Sequence, residues 1–357
     1  MNRVRALSFA VSFIALAASG QAMAGELKAA GTIAIPGEKL TSFDISFVDQ
    51  ATQMFAFADR DNKGVDLFDM TKDAYVNRVS GFIGIILKDN KPNTKLSGPN
   101  GVAIAGSEIW AGDGDSTLKI IDEKTLKVTS TISTGGKARL DEMAFDTKDG
   151  IFIGVNNADA TPFATLISTA PDHHIIGKIT FDDAADGAEQ PQYNAADGMF
   201  YVSVPELKSD EKSGAIAVID PKTAKIVKTL PVTTCHPTGL AFGPDGNFVL
   251  GCAGADSGTT IMSSKTGAAV AVIPGLPNAD MVDYNAHNGQ YYVVTRPKGS
   301  TPSLNVIDAK TNTLVQSLPL PGGGPHSVAS SEVSGKVYVP VGTTDGGDGT
   351  IHVFAPK

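Results

Sequence analysis

Only two cysteines and one tryptophan occur among the 357 residues, and aromatic residues make up 7%. Two thiols are too few for a cysteine-rich metal cluster or a disulfide-stapled miniature scaffold. No lysine- or arginine-rich stripe is present, and the net charge is −9. That balance argues against nucleic acid and anionic membranes as partners. Beyond the N-terminus no apolar run approaches the length of a bilayer span, so no membrane insertion is expected. HExxH, GxSxG, P-loop and Rossmann glycine patterns are all missing, and no CxxCH could attach a haem. A haem or nucleotide cofactor is therefore not expected, nor a serine hydrolase built on a known elbow. No stretch keeps a helical period.

The N-terminus reads as an export signal. Arg3 and Arg5 precede the apolar stretch Ala6–Ala18, and Ala22-Met23-Ala24 is a small-x-small cleavage site. Residues 1–24 are expected to be removed near Ala24, placing residues 25–357 in the periplasm or outside the cell. Setting Arg3 and Arg5 aside leaves 27 of the 29 basic residues against 38 acidic ones, a net charge of about −11. In an oxidising compartment Cys235 and Cys252 are expected to form a disulfide. They flank the hairpin TGLAFGPDGNFVLG, and its Pro244-Asp245-Gly246 turn lies near their midpoint.

A recurring unit then dominates the chain. LKIIDEKTLKVTSTI (Leu118–Ile132), IAVIDPKTAKIVKTL (Ile216–Leu230) and LNVIDAKTNTLVQSL (Leu304–Leu318) share a β-run, an Asp-Thr turn and a second β-run, and a weaker copy starts at Val65. Each is the second half of a longer cycle whose first half is an alternating run, a tight turn and another β-run, as in QPQYNAADGMFYVSV. Cycles open at residues 43, 100, 141, 189, 238, 280 and 326. Four short strands per cycle and seven cycles predict an all-β, seven-bladed β-propeller in a single domain, residues 25–357. The final GTIHVFAPK resembles a third strand with no fourth, while LKAAGTIAIPG near residue 27 resembles a fourth. An N-terminal outer strand is therefore predicted to pair with the C-terminal blade and close the ring.

The repeated V-I-D-x-K-T turn, followed by runs such as GLAFGPDG, resembles the YVTN-repeat family of β-propellers, which is related to the seven-bladed lactonase-like propellers. The likeness extends over essentially all of residues 25–357. It implies the propeller fold, and it makes a small-molecule lactonase, hydrolase or lyase one expectation for function. Propellers also serve as non-catalytic binding scaffolds and as accessory subunits of periplasmic redox or transport complexes, so a protein partner on a disk face is the alternative. The Asp and Thr of the repeated turns (Asp122 and Thr125, Asp220 and Thr223, Asp308 and Thr311) read as turn chemistry.

Functional residues are better sought where the copies differ. In a propeller the first strand of each blade lines the central channel, so the residues opening those strands converge on one face. They are Asp44, Asn100, Asp141-Glu142, Glu189-Gln190, Thr238 with His236 before it, Asp280 and His326. Asp44, Asn100, Asp141, Glu189 and Asp280 are the oxygen-rich set a divalent cation such as Ca²⁺ prefers. They could equally be solvated residues at a channel mouth. His326 or His236 is a candidate general base. Arg60 and Arg296, at the exits of second strands, could orient a substrate carboxylate or steady an oxyanion. The other exit positions are Asp59, Asp113, Asn156-Asn157, Glu206 and Asp256. The insertion Gly81–Gly98, with Phe82, Ile83, Ile85 and Ile86, reads either as a lid for an apolar ligand at the funnel or as an outer strand running long.

Overall fold

The computed structural model describes residues 25–254, 257–343 and 348–357. Residues 1–24, expected to be an export signal, and Asp256 lie outside the described residues.

Seven four-stranded antiparallel sheets form the blades of a propeller. Alternating, β-branched strands joined by Asp-Thr and Gly turns dictate this local structure. In three of the turns the aspartate accepts bonds from the threonine. Thr125 N lies 2.7 Å from Asp122, Thr223 Oγ1 2.9 Å from Asp220, and Thr311 N 2.7 Å from Asp308. These side chains replace missing backbone partners at the hairpin tip.

The innermost strands are Phe43–Asp49, Val102–Ala105, Met143–Asp146, Pro191–Asn194, His236–Phe242, Ala279–Asn285 and Ala329–Ser330, in blades 1 to 7. They begin close to the openings expected from the repeat. Blade 7 takes its outer strand, Leu27–Ala34, from the N-terminus, pairing Leu27 with Pro356 and Ala34 with Thr350. Gln316 of blade 6 clamps that strand, its side chain both accepting from Leu27 N and donating to Leu27 O at 2.9 Å. The expected closure is present.

Every outer strand also carries a register shift against its neighbour. Such a bulge twists an exposed edge away from further pairing.

The core lies between blades and is built from the middle strands. Trp110 stacks on Phe152 at 4.2 Å and 5°, joining blades 2 and 3. Phe55 meets Tyr338 at 5.8 Å across blades 1 and 7, and Tyr201 meets Phe248 at 5.9 Å across blades 4 and 5. Cys235 and Cys252 are bonded as expected, their Cα atoms 5.6 Å apart, beneath the inner strand of blade 5.

Candidate functional site

Three inner strands share a local irregularity where they enter the channel. Register shifts occur between Phe43 and Ser46, Pro237 and Leu240, and Ala279 and Val282. The extra residue in each bulge releases a pair of positions from the ladder and re-aims them. Those positions include Asp44, Thr238 and Asp280, which all line one cavity of about 290 Å³ at the head of the channel. Glycine at Gly101 and Gly239 lets neighbouring inner strands approach, because a Cβ there would collide with the Asp141 and Asp280 carbonyls.

On one side of the cavity stands a His-Asp-Arg group. Arg296 Nη2 donates to Asp280 Oδ2 at 2.6 Å, and His326 Nδ1 lies 3.2 Å from the same oxygen. Arg296 Nη1 also lies about 3 Å from both ring nitrogens of His326. Phe43 supports the imidazole edge-on at 5.4 Å. Burial works against the Asp280 charge, but the His326 bond and Arg296 hold its carboxyl below the usual range. Asp280 thus stays ionised and orients the imidazole.

Opposite it, Arg60 is 3% exposed and is paired with Asp44, the Phe43 carbonyl and the Asn100 side chain. Arg139 reaches in from the loop between blades 2 and 3. Its Nη2 lies 2.6 Å from Asp141 Oδ2, its Nη1 3.6 Å from Asp44, and its Nε donates to Asn157 at 3.1 Å.

Between these pairs sit Asp141, Glu142 and Glu189. Burial pushes Asp141 up to about 7, despite Arg139. It also pushes Glu142 and Glu189 well above the usual range, and the ionised form of each is disfavoured further by the negative charges around it. Asp141 Oδ1 and Glu142 Oε2 are buried with no hydrogen-bond partner. Asp44, Asp141 and Asp280 face Arg60, Arg139 and Arg296 respectively, whereas Glu142 and Glu189 have no arginine of their own and burial disfavours their ionised forms.

Of the expected site residues, Asp44, Asp141, Glu189, Asp280, His326, Arg60 and Arg296 line this one cavity. Asn100 stands behind Arg60, fully buried. His236 is not in the lining; it is paired with Ala253 on the neighbouring strand, and its Nδ1 meets the Pro205 carbonyl at 3.0 Å. Asp44, Asn100 and Asp280 are committed to arginines. Asp141 Oδ2 is likewise taken by Arg139 and Glu189 by Asn157, which leaves Asp141 Oδ1 and Glu142 Oε2 without partners; among the described residues no group of three or more His, Cys, Asp or Glu is disposed to hold a metal ion.

Arg139 was not anticipated. It stands two residues before Asp141 in a loop outside the repeat, and only that proximity signals it. Most other strand-exit residues serve the scaffold. Asp59 binds Asn62 and Arg78, Asp113 binds Lys119, and Asn156 ties Ser116 to the Ala138 carbonyl.

The insertion does reach the funnel. Thr94 lines the cavity, and Arg139 N donates to the Lys95 carbonyl at 2.8 Å. Its Leu87–Lys88 and Lys91–Pro92 segments form a small hairpin, so it is not a continuation of the outer strand, and Phe82 is buried under it.

Compared with known proteins, the chain matches no family model, and no curated protein is significantly similar to it.

Proposed function

We propose that the funnel is the active site of an exported small-molecule hydrolase or lyase, of the kind found among lactonase-like propellers. The observation that supports this most is the meeting, in one cavity, of a base and an acid of opposite character. Asp280 stays ionised and orients His326, while burial disfavours the ionised forms of Glu142 and Glu189. Paired groups whose surroundings drive their proton affinities apart are suited to acid and base roles.

In this reading His326, held through Nδ1, removes a proton from water or substrate at Nε2 once the substrate draws Arg296 Nη1, 3.1 Å from that nitrogen, away from it. Glu142 or Glu189 returns a proton to the leaving oxygen. Arg296 and Arg139 receive a substrate carboxylate or a developing oxyanion. His236 has no part in it. A divalent cation such as Ca²⁺ would be held by the unpartnered Asp141 Oδ1 and Glu142 Oε2 together with Glu189, and would supply Lewis-acid polarisation of a carbonyl. Export accords with the Cys235–Cys252 disulfide.

One observation favours a second reading, a non-catalytic scaffold. Asp44, Asp141 and Asp280 are each already paired with an arginine, and these contacts cross-tie blades 1, 2, 3, 6 and 7. The test is a panel of small lactones, carboxylate esters and β-hydroxy acids offered to the purified mature protein, with and without a chelator. Turnover abolished by His326→Gln supports the enzyme. Chelation without loss removes the cation, and no turnover on any substrate class supports the scaffold.

A further inference from the structure

The channel has a second chamber that shares no lining residue with the funnel. It occupies about 500 Å³ between the far halves of the inner strands and opens on the opposite disk face, where Gln50, Thr147, Ala195 and Glu332 are exposed at its rim.

Its chemistry is the reverse of the funnel's. Four half-buried aromatic rings from four blades face it: Phe47, Phe145, Tyr193 and Tyr284. Three of them are braced from behind by the residue directly across the ladder. Phe145 packs on Phe152 at 5.7 Å, Tyr193 on Phe200 at 5.4 Å and Tyr284 on Tyr291 at 5.2 Å. Rings fixed in this way present a constant surface to the channel and lose little freedom when something binds.

The lining contains three acidic residues, Asp49, Asp283 and Glu332, and no lysine, arginine or histidine. Asp49 caps its own hairpin turn through Ala51 and Thr52. Glu332 lies at the rim. Asp283 stands beside Tyr284 on the wall, and its Oδ2 accepts a bond from Ser330 at 2.6 Å. No lysine, arginine or histidine of the lining is a partner for the Asp283 charge, and burial pushes its carboxyl up to about 7. An ammonium ion supplies that partner, and the ring faces attract the same charge.

We propose that this chamber is a second ligand site, distinct from the funnel, that takes a small organic ammonium ion. The charge faces Asp283, and an aromatic or alkyl body rests on Phe47, Phe145, Tyr193 and Tyr284. An anion has no basic group to meet there. A neutral apolar molecule leaves Asp283 unanswered.

Calorimetric titration of the mature protein with phenyltrimethylammonium tests the assignment, with benzenesulfonate as the anion of similar size. The cation is expected to bind one to one and the sulfonate not at all. Asp283→Asn and Tyr284→Leu are each expected to weaken the cation about tenfold, while Arg296→Ala, in the funnel, retains wild-type affinity. If Asp283→Asn does not fold, as judged by circular dichroism, Tyr284→Leu and the rim variant Glu332→Gln carry the same expectation, with a smaller loss for the rim. Equal binding of the sulfonate, absence of cation binding at millimolar concentration, or full affinity in the chamber variants overturns it.

Discussion

His326 touches the Asp280–Met281 pair twice: its Nδ1 lies 3.2 Å from Asp280 Oδ2, and its backbone carbonyl accepts the Met281 amide at 3.2 Å. The first contact orients the imidazole, and the second joins the inner strands of blades 6 and 7. Because the backbone bond remains when the side chain is changed, Asp280→Asn should separate chemistry from architecture. Under the proposed reading turnover falls about a hundredfold or more, and the melting temperature falls only by what the lost pairing with Arg296 and His326 contributed. Steady-state kinetics and calorimetry on the same sample check both.

Stability should depend on pH with a definite sign. Burial raises the Glu142 and Glu189 carboxyls, so between their unfolded value near 4.5 and the raised folded value the native state holds more protons. Stability therefore falls as pH rises through that window. Asp280 acts in the opposite sense. Its lowered carboxyl stabilises above its ordinary value of 3.8, and that contribution is lost as pH falls through the folded value. The melting temperature is expected to peak in mild acid, at about pH 5, and to decline towards about pH 8. Glu142→Gln removes one of the titrating groups and should flatten the alkaline decline.

Calcium has a related test. If Asp141, Glu142 and Glu189 exchange protons for a cation, added Ca²⁺ should raise the melting temperature most at about pH 8, where proton loss costs the native state most. Saturation at a hundred times the dissociation constant corresponds to about 2.7 kcal/mol. Differential scanning calorimetry with Ca²⁺ against chelator reads the effect directly. An unchanged melting temperature removes the cation from the site.

The propeller was legible because its turns repeat: Asp122, Asp220 and Asp308 occupy one structural position and give the register for every strand around them. That register also located Asp44, Asp141, Glu189, Asp280 and His326, since the opening residue of an inner strand faces the channel in any propeller. Arg139 escaped because it lies in a loop that no repeat aligns. His236 was misplaced for a related reason. It precedes the bulge at Thr238 and Gly239, which sends Thr238 to the funnel and leaves the histidine with the Pro205 carbonyl. The pairing of Asp44, Asn100 and Asp280 with arginines, and the raised proton affinity of Glu142 and Glu189, depend on burial and on neighbours distant in sequence. No spacing encodes either.

The N-terminal strand offers a test of closure. Removing residues 25–34 uncovers the edge of Thr350–Pro356 and the apolar contacts of Leu27 and Ile33. Such a variant should melt earlier and associate, as seen by light scattering. Gln316→Ala, which removes both clamping bonds to Leu27, should destabilise by about 1–3 kcal/mol in urea unfolding.

The disulfide encloses a short loop, its cysteines 17 positions apart in the sequence. Replacing both cysteines by serine should lower stability by about 3 kcal/mol. Urea unfolding of the oxidised protein and the double variant measures this difference.

The central claim is that the funnel performs proton-transfer chemistry on a small molecule, and the most direct measurement is turnover by wild type and His326→Gln across the lactone, ester and β-hydroxy acid panel. The account expects at least one substrate class to be turned over by the wild type. It expects His326→Gln to lose about 10²–10⁴-fold in kcat with its melting temperature preserved. A wild type inert towards every class, or a His326→Gln protein as active as the wild type, would contradict it.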